Sequence, residues 1–414
     1  MSRDQLIAMT RHAIDHAHAG TIDQEPDVMK VPAANYYDPD RFKVEVKQIF
    51  RRMPLVLAPT AEIRNPGDYK AMDAAGMPVL LTRGHDGELR AFINSCSHRG
   101  TALVIDETGN RRKFTCPYHG WTFDQKGALV GIASPDDFGE IDRSAYGLTP
   151  LPVLEKAGLI WCTLDPASTL DIETFLSGYD DMLANFGFES WYLFDKRTIR
   201  GPNWKIAYDG YMDLYHLPVL HRETFGADRS NKALYFPWGP HQRVISPNRY
   251  GPLENLPEDK WPTEMMMVGV WTIFPHISIA SFEGGGRSVM LSQLFPGSSP
   301  GESYTTQYYL MENEPNEEQA KEAEAQFKLL EYVVEVEDYG TGLRQQKALE
   351  AGGRDHVLFG RNEGGGHRFH GWVDRLIAAK DDELNGLFAS ARASATTAQG
   401  IDESRRPPVR GERT

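Results

Sequence analysis

Cysteine is scarce in this chain: three in 414 residues, Cys96, Cys116 and Cys162. So odd and sparse a set excludes a disulfide framework and points to a reducing compartment, which turns attention to what chemistry the thiols do. Positive charge is also short, with 44 Lys and Arg against 58 Asp and Glu and a net charge of −14. That balance disfavours duplex nucleic acid as a partner. The first twenty residues, MSRDQLIAMTRHAIDHAHAG, lack the continuous apolar stretch of a signal peptide or membrane anchor, so the expectation is a cytoplasmic protein without a membrane partner. A Gly-x-Gly-x-x-Gly turn following a strand is missing too, which assigns nicotinamide and flavin chemistry to a separate protein. What is present, 41% hydrophobic and 25% charged residues over a length suited to two or three domains, describes a globular chain.

Residues 2–19 carry a rough helical stripe through Leu6, Ile7, Met9, Ala13 and Ile14, and a second helix is expected over 38–52. From 54 to about 164 the pattern shifts to short strand-like runs. Residues 78–82 and 89–93 flank Asp86-Gly87, a tight hairpin signal, and the run 158–164 suits a buried strand holding Cys162 as an inert core thiol. Beyond Pro166 helical segments are expected near 168–186 and 203–217, with strands over 268–280, 288–295 and 303–311. Glu283-Gly284-Gly285-Gly286 reads as a hairpin loop. Asn316 and Gln319 form a capping box for the longest helix, which Gly340 and Gly342 should loosen partway.

Two cysteines are paired with histidines, in Cys96-Ser97-His98 and Cys116-Pro117-Tyr118-His119. Two thiolates and two imidazoles on facing loops can hold one tetrahedral zinc or a two-iron cluster. Zinc fingers generally place both cysteines in one knuckle and both histidines in the other, whereas here each loop supplies one of each. With its flanks, Cys96-Ser-His-Arg-Gly100 and Cys116-Pro-Tyr-His-Gly-Trp121, the pattern resembles the Rieske [2Fe-2S] motif. The resemblance assigns Cys96 and Cys116 to one iron and His98 and His119 to the other. The extra cysteine that respiratory Rieske proteins carry in each loop is lacking, so the likeness is to the soluble oxygenase and ferredoxin branch.

A second constellation follows in Asp213-Leu-Tyr-His216-Leu-Pro-Val-Leu-His221. It reads as a helix ending near Pro218, with Asp213 and His216 on one face and the bend at Pro218 returning His221 toward His216. Two histidines and one further carboxylate would make a facial triad suited to non-haem Fe(II) and O2. A Rieske pattern followed by Asp-x-x-His-x-x-x-x-His resembles the α subunit of the Rieske non-haem iron ring-hydroxylating oxygenases. The resemblance implies a third ligand in the acidic stretch of a long helix, where Asp338 is the choice and Glu335 and Glu337 are rivals. It also implies that Asp213 is no ligand but bridges His216 to His119 of an adjacent chain. Asp209 stands where many family members have asparagine. Tyr208, Tyr211 and Tyr215, with Met265 to Met267, Trp271 and Phe274, supply bulk for an apolar pocket, while His367 and His370 read as structural or surface residues.

The fold class implied is α+β: a small all-β Rieske domain over residues 46–165 and a larger catalytic domain over 166–390, an antiparallel sheet covered by helices in a helix-grip-like arrangement. Residues 1–45 form an N-terminal helical segment packing on the catalytic domain, and 391–414 a flexible tail. The function implied is that of a terminal oxygenase with a Rieske [2Fe-2S] cluster and a mononuclear Fe(II). It would hydroxylate an apolar, aromatic substrate by cis-dihydroxylation or by monooxygenation and N- or O-dealkylation. Electrons would come from NAD(P)H through a separate reductase, with or without a ferredoxin, docking near Arg99, Arg111, Arg112 and Lys113. A bridge between chains requires an oligomer, a homotrimer with or without small β subunits. The alternatives are a pure Rieske electron carrier and a zinc-binding adaptor.

Overall fold

The computed structural model describes residues 2–397. Between residues 55 and 162 the short β-rich runs pair into three antiparallel sheets. One has five strands, in the order Pro150–Leu151, Leu89–Ile93, Met77–Arg83, Asp68–Ala74 and Thr108–Asn110. A second joins Val153–Lys156, Leu159–Cys162 and Leu55–Pro59, and a third Lys113–Thr115, Thr122–Asp124 and Leu129–Gly131. The expected hairpin is present, with Val79 opposite Ile93 and Gly87 at φ +82° in the turn. Tyr69, Leu80, Phe92, Phe114, Trp121 and Phe123 form a small core that also encloses Cys96 and Cys116. Cys162 lies in the main core, its thiol pushed far up by burial, as suits an inert side chain.

The larger sheet is antiparallel with seven strands: Tyr192–Gly201, Ser303–Met311, Ser288–Pro296, Ile277–Phe282, Val270–Ile273, His241–Ile245 and Leu234–Trp238. The single expected strand over 268–280 is therefore two, because the chain turns at Phe274-Pro275, where proline offers no N–H to a ladder. Every residue of Ser288–Pro296 is buried, so both faces of the sheet are covered. Helix Trp204–Asp209 packs against its strands Ser288–Pro296 and Ser303–Met311. Strand Leu55–Pro59 joins it by hydrogen bonds: Val56 N donates to His276 Nε2 at 3.1 Å, and Gln293 Nε2 donates to Val56 O at 2.6 Å. Burial pushes His276 down to about 3, so its ring is neutral and can accept.

The acidic helix Glu317–Tyr332 opens on the expected capping box of Asn316 and Gln319. It continues as a π-helical segment, Val333–Tyr339, and then as helix Gly340–Glu350. Gly342 does more than loosen it: a Cβ there would lie 2.8 Å from Pro202 and 3.1 Å from Ile206, so glycine lets this helix approach Trp204–Asp209 closely. At the N-terminus, helix Ser2–Ala19 packs on Pro247–Arg249 and Thr263–Met266. The last helix, Leu384–Thr397, runs seven residues into the expected flexible tail, its alanines at 389, 391, 393 and 395 favouring helix, and Phe388 anchors its first half in the core. The remainder of that tail lies outside the described residues.

Glu45 and Lys205, both fully buried, form an ion pair between helices Pro39–Glu45 and Trp204–Asp209, and Trp204 Nε1 donates to the same carboxylate oxygen at 2.9 Å. Removing the acid leaves a buried ammonium without a counter-charge. Glu45→Leu should cost about 3–5 kcal/mol, and adding Lys205→Met should recover part of it. Urea unfolding measures this, and a double variant no more stable than Glu45→Leu contradicts it.

Candidate metal centres

The two Cys/His loops have the same local build. Cys96 N donates to Thr101 O at 2.8 Å and Gly100 N to Cys96 O at 2.8 Å; Cys116 N donates to Trp121 O at 2.7 Å and Gly120 N to Cys116 O at 3.0 Å. Gly100 and Gly120 sit at φ +79° and +70°, the left-handed conformation that closes each loop and that an L side chain resists. Asn94 buttresses the first loop by accepting from Leu103 N and Val104 N and donating to Val104 O. The thiols are buried side by side, and the imidazoles are half-buried at the rim with ring centroids 4.7 Å apart. His98 stacks on Trp121 at 4.8 Å, and Tyr118 lies against His119.

Burial pushes the Cys96 thiol up; the His98 backbone N–H opposes this and the adjacent Cys116 thiol adds to it. Among the described residues, the sets of three or more donors lying within 4.8 Å of one another are His216/His221/Asp338 and His12/His16/Asp23. The Cys/His donors are not among them: thiol lies with thiol and imidazole with imidazole, too spread for one tetrahedral ion. This arrangement fits a two-iron cluster with thiolates inside and imidazoles outside. Of the neighbouring cations, Arg111 pairs with Asp106 and Arg99 lies over the Tyr118 ring, while Arg112 and Lys113 are exposed.

The second centre departs locally from the expected helix. Trp204–Asp209 tightens into a 3-10 turn over Gly210–Met212 and ends at Asp213, whose backbone is extended at φ −122° and ψ 127°. The Asp213 side chain accepts from Tyr215 N, which stabilises the turn in place of helix. Pro218 accordingly starts a helix instead of ending one: it stands in the first turn of Leu217–Leu220, with His216 at one end of that single turn and His221 at the other. The short helix brings the rings together, His216 Nε2 lying 3.2 Å from His221 Nε2. Asp338 Oδ1, from the π-helical segment, lies 3.1 Å from His221 Nε2 and 3.8 Å from His216 Nε2.

The outer nitrogens are held by other carboxylates. Asp213 Oδ2 lies 3.0 Å from His216 Nδ1, and Glu337 Oε2 lies 2.8 Å from His221 Nδ1 while accepting from Thr224 Oγ1 at 2.9 Å. Burial alone would lower His221, but Asp338 and then Glu337 hold it above its ordinary range. Asp338 therefore faces the inner nitrogens and Glu337 an outer one, whereas Glu335 has no contact with either ring. Thr224 gave no signal in the sequence. Two imidazoles and a carboxylate converging on one point, each ring held from behind, suit a divalent iron with open positions.

The remaining expected residues divide. Tyr208 is buried, donating to Ile273 O and Ile277 O; Tyr211 OH meets Tyr339 OH at 3.1 Å; Tyr215 is exposed and so adds no bulk to an apolar pocket. Asp209 is neither solvated nor in contact with the triad, being held by Tyr36 OH at 3.1 Å and His370 Nε2 at 3.0 Å. His367 bonds Gly360 O. Asp213 makes no contact with His119 of its own chain.

Ligand and supporting roles separate by metal analysis. Asp338→Ala should lose the mononuclear iron and keep the red cluster, while Glu337→Gln should keep iron with affinity weakened about 10–100-fold. Cys116→Ser should lose the cluster. Iron loss on Glu337→Gln with retention on Asp338→Ala would reverse the assignment.

Residues 53–143 match the Rieske [2Fe-2S] domain family, and residues 188–379 the ring hydroxylating alpha subunit catalytic domain. The oxygenase subunit of glycine betaine monooxygenase from Chromohalobacter salexigens is 30% identical over 223 residues, 52% of this chain and 50% of that one. The oxygenase subunit of carnitine monooxygenase from Escherichia coli (strain K12) is 32% identical over 194 residues, 46% of this chain and 52% of that one. The chain spans about half the length of the curated relatives it matches. In fold it is similar to the quaternary ammonium Rieske monooxygenase CntA solved with L-carnitine, with a TM-score of 0.71 at 23% identity, covering 85% of this chain and 97% of that one. It is also similar to naphthalene 1,2-dioxygenase from Rhodococcus sp., with a TM-score of 0.70 at 21% identity, covering 91% and 98%. Two loops built for a [2Fe-2S] cluster, a downstream two-histidine, one-carboxylate set and both family matches place this chain among the Rieske non-haem iron oxygenase alpha subunits.

Proposed function

We propose that this protein is the terminal oxygenase of a multicomponent system that uses O2 and electrons from NAD(P)H to hydroxylate a small organic substrate. A separate reductase, with or without a ferredoxin, would supply the electrons. The observation that carries the reading is the coexistence, in one chain, of the paired Cys/His loops and the His216/His221/Asp338 set. A pure electron carrier has no use for the second set, and a zinc adaptor has use for neither arrangement. In this reading residues 46–165 carry the cluster and 166–390 the mononuclear site. Iron held there supplies one-electron transfer and O2 activation.

The chain's own residues then have definable tasks. Asp213, accepting at His216 Nδ1, keeps the Nε2 lone pair of that ring turned inward, and Glu337 does the same for His221. The hydroxyls of Tyr211 and Tyr339 meet at 3.1 Å, and both side chains feel the charge of Asp338. Two kinds of substrate fit the reading, a flat aromatic ring and a methylated ammonium compound. The relatives include both kinds: oxygenase subunits named for glycine betaine and carnitine, and the large subunit of anthranilate 1,2-dioxygenase from Acinetobacter baylyi. Cis-dihydroxylation of an aromatic compound and monooxygenation with dealkylation are accordingly the two outcomes to separate.

Asp213 belongs to the mononuclear site and has no cluster histidine beside it in its own chain, and Tyr215 and Val219 next to it are exposed, as is Tyr118 beside His119. These features support a homotrimer in which Asp213 meets His119 of an adjacent chain. In light scattering the particle should weigh three times the 46.6 kDa chain, or more if β subunits join.

The test is reconstitution with a competent reductase, screening aromatic, N-alkyl and O-alkyl compounds, quaternary amines included, for coupled O2 uptake with products identified by mass. One or two atoms from 18O2 should enter the product, and cluster turnover without oxygenated product for any class contradicts the reading. Asp213→Asn should retain both metals and normal cluster reduction while slowing product formation about 10–100-fold. Unchanged product formation would remove Asp213 from the electron path.

A further inference from the structure

The N-terminal helix carries a second two-histidine, one-carboxylate cluster that the oxygenase chemistry does not use. His12 and His16 are four apart on Ser2–Ala19 and so share a face, and both are buried. Asp23, from the stretch that follows the helix, reaches back between them. Its Oδ2 lies 3.0 Å from His12 Nε2 and its Oδ1 3.3 Å from His16 Nε2, and the rings stand edge to face with centroids 4.5 Å apart. Each of the three offers a ligand atom within 4.8 Å of the others.

Two details favour a bound cation over a simple hydrogen-bonded lock. First, His16 Nδ1 is already engaged with Thr21 Oγ1 at 2.9 Å, which leaves Nε2 as the atom presented to the cluster. Second, His16 Nε2 and Asp23 Oδ1 are buried and, despite their proximity, have no hydrogen-bond partner of proper geometry; His12 Nδ1 is likewise unpartnered. Orphaned buried polar atoms cost about 1–3 kcal/mol each, and an ion between His16 and Asp23 would satisfy two of them. Phe236 of the edge strand Leu234–Trp238 stands against His12 and gives the site an apolar wall.

We propose that His12, His16 and Asp23 bind a divalent first-row cation, Zn2+ by ligand type and availability, as a structural site distinct from both iron centres. Two imidazoles and one carboxylate are a borderline donor set that favours zinc over magnesium or calcium, with a solvent molecule to complete the tetrahedron. The ion would tie the C-terminal turns of helix Ser2–Ala19 to residues 21–23, and so brace the N-terminal segment where it lies beside Phe236.

The test uses the enzyme with its cluster and mononuclear iron in place, dialysed against micromolar Zn2+ and then metal-free buffer, with zinc and iron counted by mass spectrometry. Wild type should retain about one zinc per chain in addition to its iron, and His216→Ala should retain it too. Asp23→Asn and His16→Gln, shown to be folded by circular dichroism and by their cluster colour, should retain none. Absence of zinc from wild type, its loss on His216→Ala, or equal retention by Asp23→Asn overturns the proposal. Amide exchange on wild type decides the matter should the variants misfold: Zn2+ should slow exchange across residues 6–19 at least tenfold, and exchange unchanged by Zn2+ contradicts the site.

Discussion

One imidazole is gripped at both of its nitrogens by consecutive acidic residues, and the proposed mononuclear centre depends on that grip. His221 has Glu337 at Nδ1 and Asp338 at Nε2, 2.8 and 3.1 Å away. Successive side chains on a helix point in different directions, so two of them can meet opposite edges of one ring only if the ring stands between them. The one-turn helix Leu217–Leu220 puts it there, and it also carries His216 to within 3.2 Å of His221. Position in turn rests on the larger frame: the close crossing allowed by Gly342, the buried Glu45–Lys205 pair, and the seven-stranded sheet beneath both helices.

The two centres solve the problem of holding metal in different ways. At the cluster loops, backbone turns with matched hydrogen bonds fix the donors, so the geometry is local to each loop and the sequence motif is contiguous. At the mononuclear site the donors come from segments more than a hundred residues apart, and supporting carboxylates orient rings that the backbone alone leaves free. The first arrangement suits reversible electron transfer with little rearrangement, the second open coordination positions.

That difference explains what was legible beforehand. Cys96, His98, Cys116 and His119 stood out because they lie in short contiguous stretches that resemble a known motif, and the spacing of His216 and His221 marked that pair as candidates. The β-rich stretch from residue 54 and the mixed pattern after 166 were visible in the sequence pattern, while the α+β class with a helix-covered antiparallel sheet came from the family resemblance. The local course of residues 203–221 was not readable: helix propensity runs smoothly through Asp213, but its side chain captures Tyr215 N and breaks the helix there, and Pro218 begins a helix where it was expected to end one. Nor could the acidic stretch choose among Glu335, Glu337 and Asp338, because a π-helical segment changes the angular register that α-helical spacing assumes. His12 and His16 had visible i, i+4 spacing, but on a helix whose role was already assigned to packing.

The central claim is that one chain holds a two-iron cluster and a separate iron. Anomalous diffraction from crystals of the loaded protein, collected on either side of the iron edge, tests it most directly. The account predicts two iron peaks between the loops of Cys96/His98 and Cys116/His119, and a third among His216, His221 and Asp338. A single metal between the loops, or no iron at the three downstream residues, would contradict it.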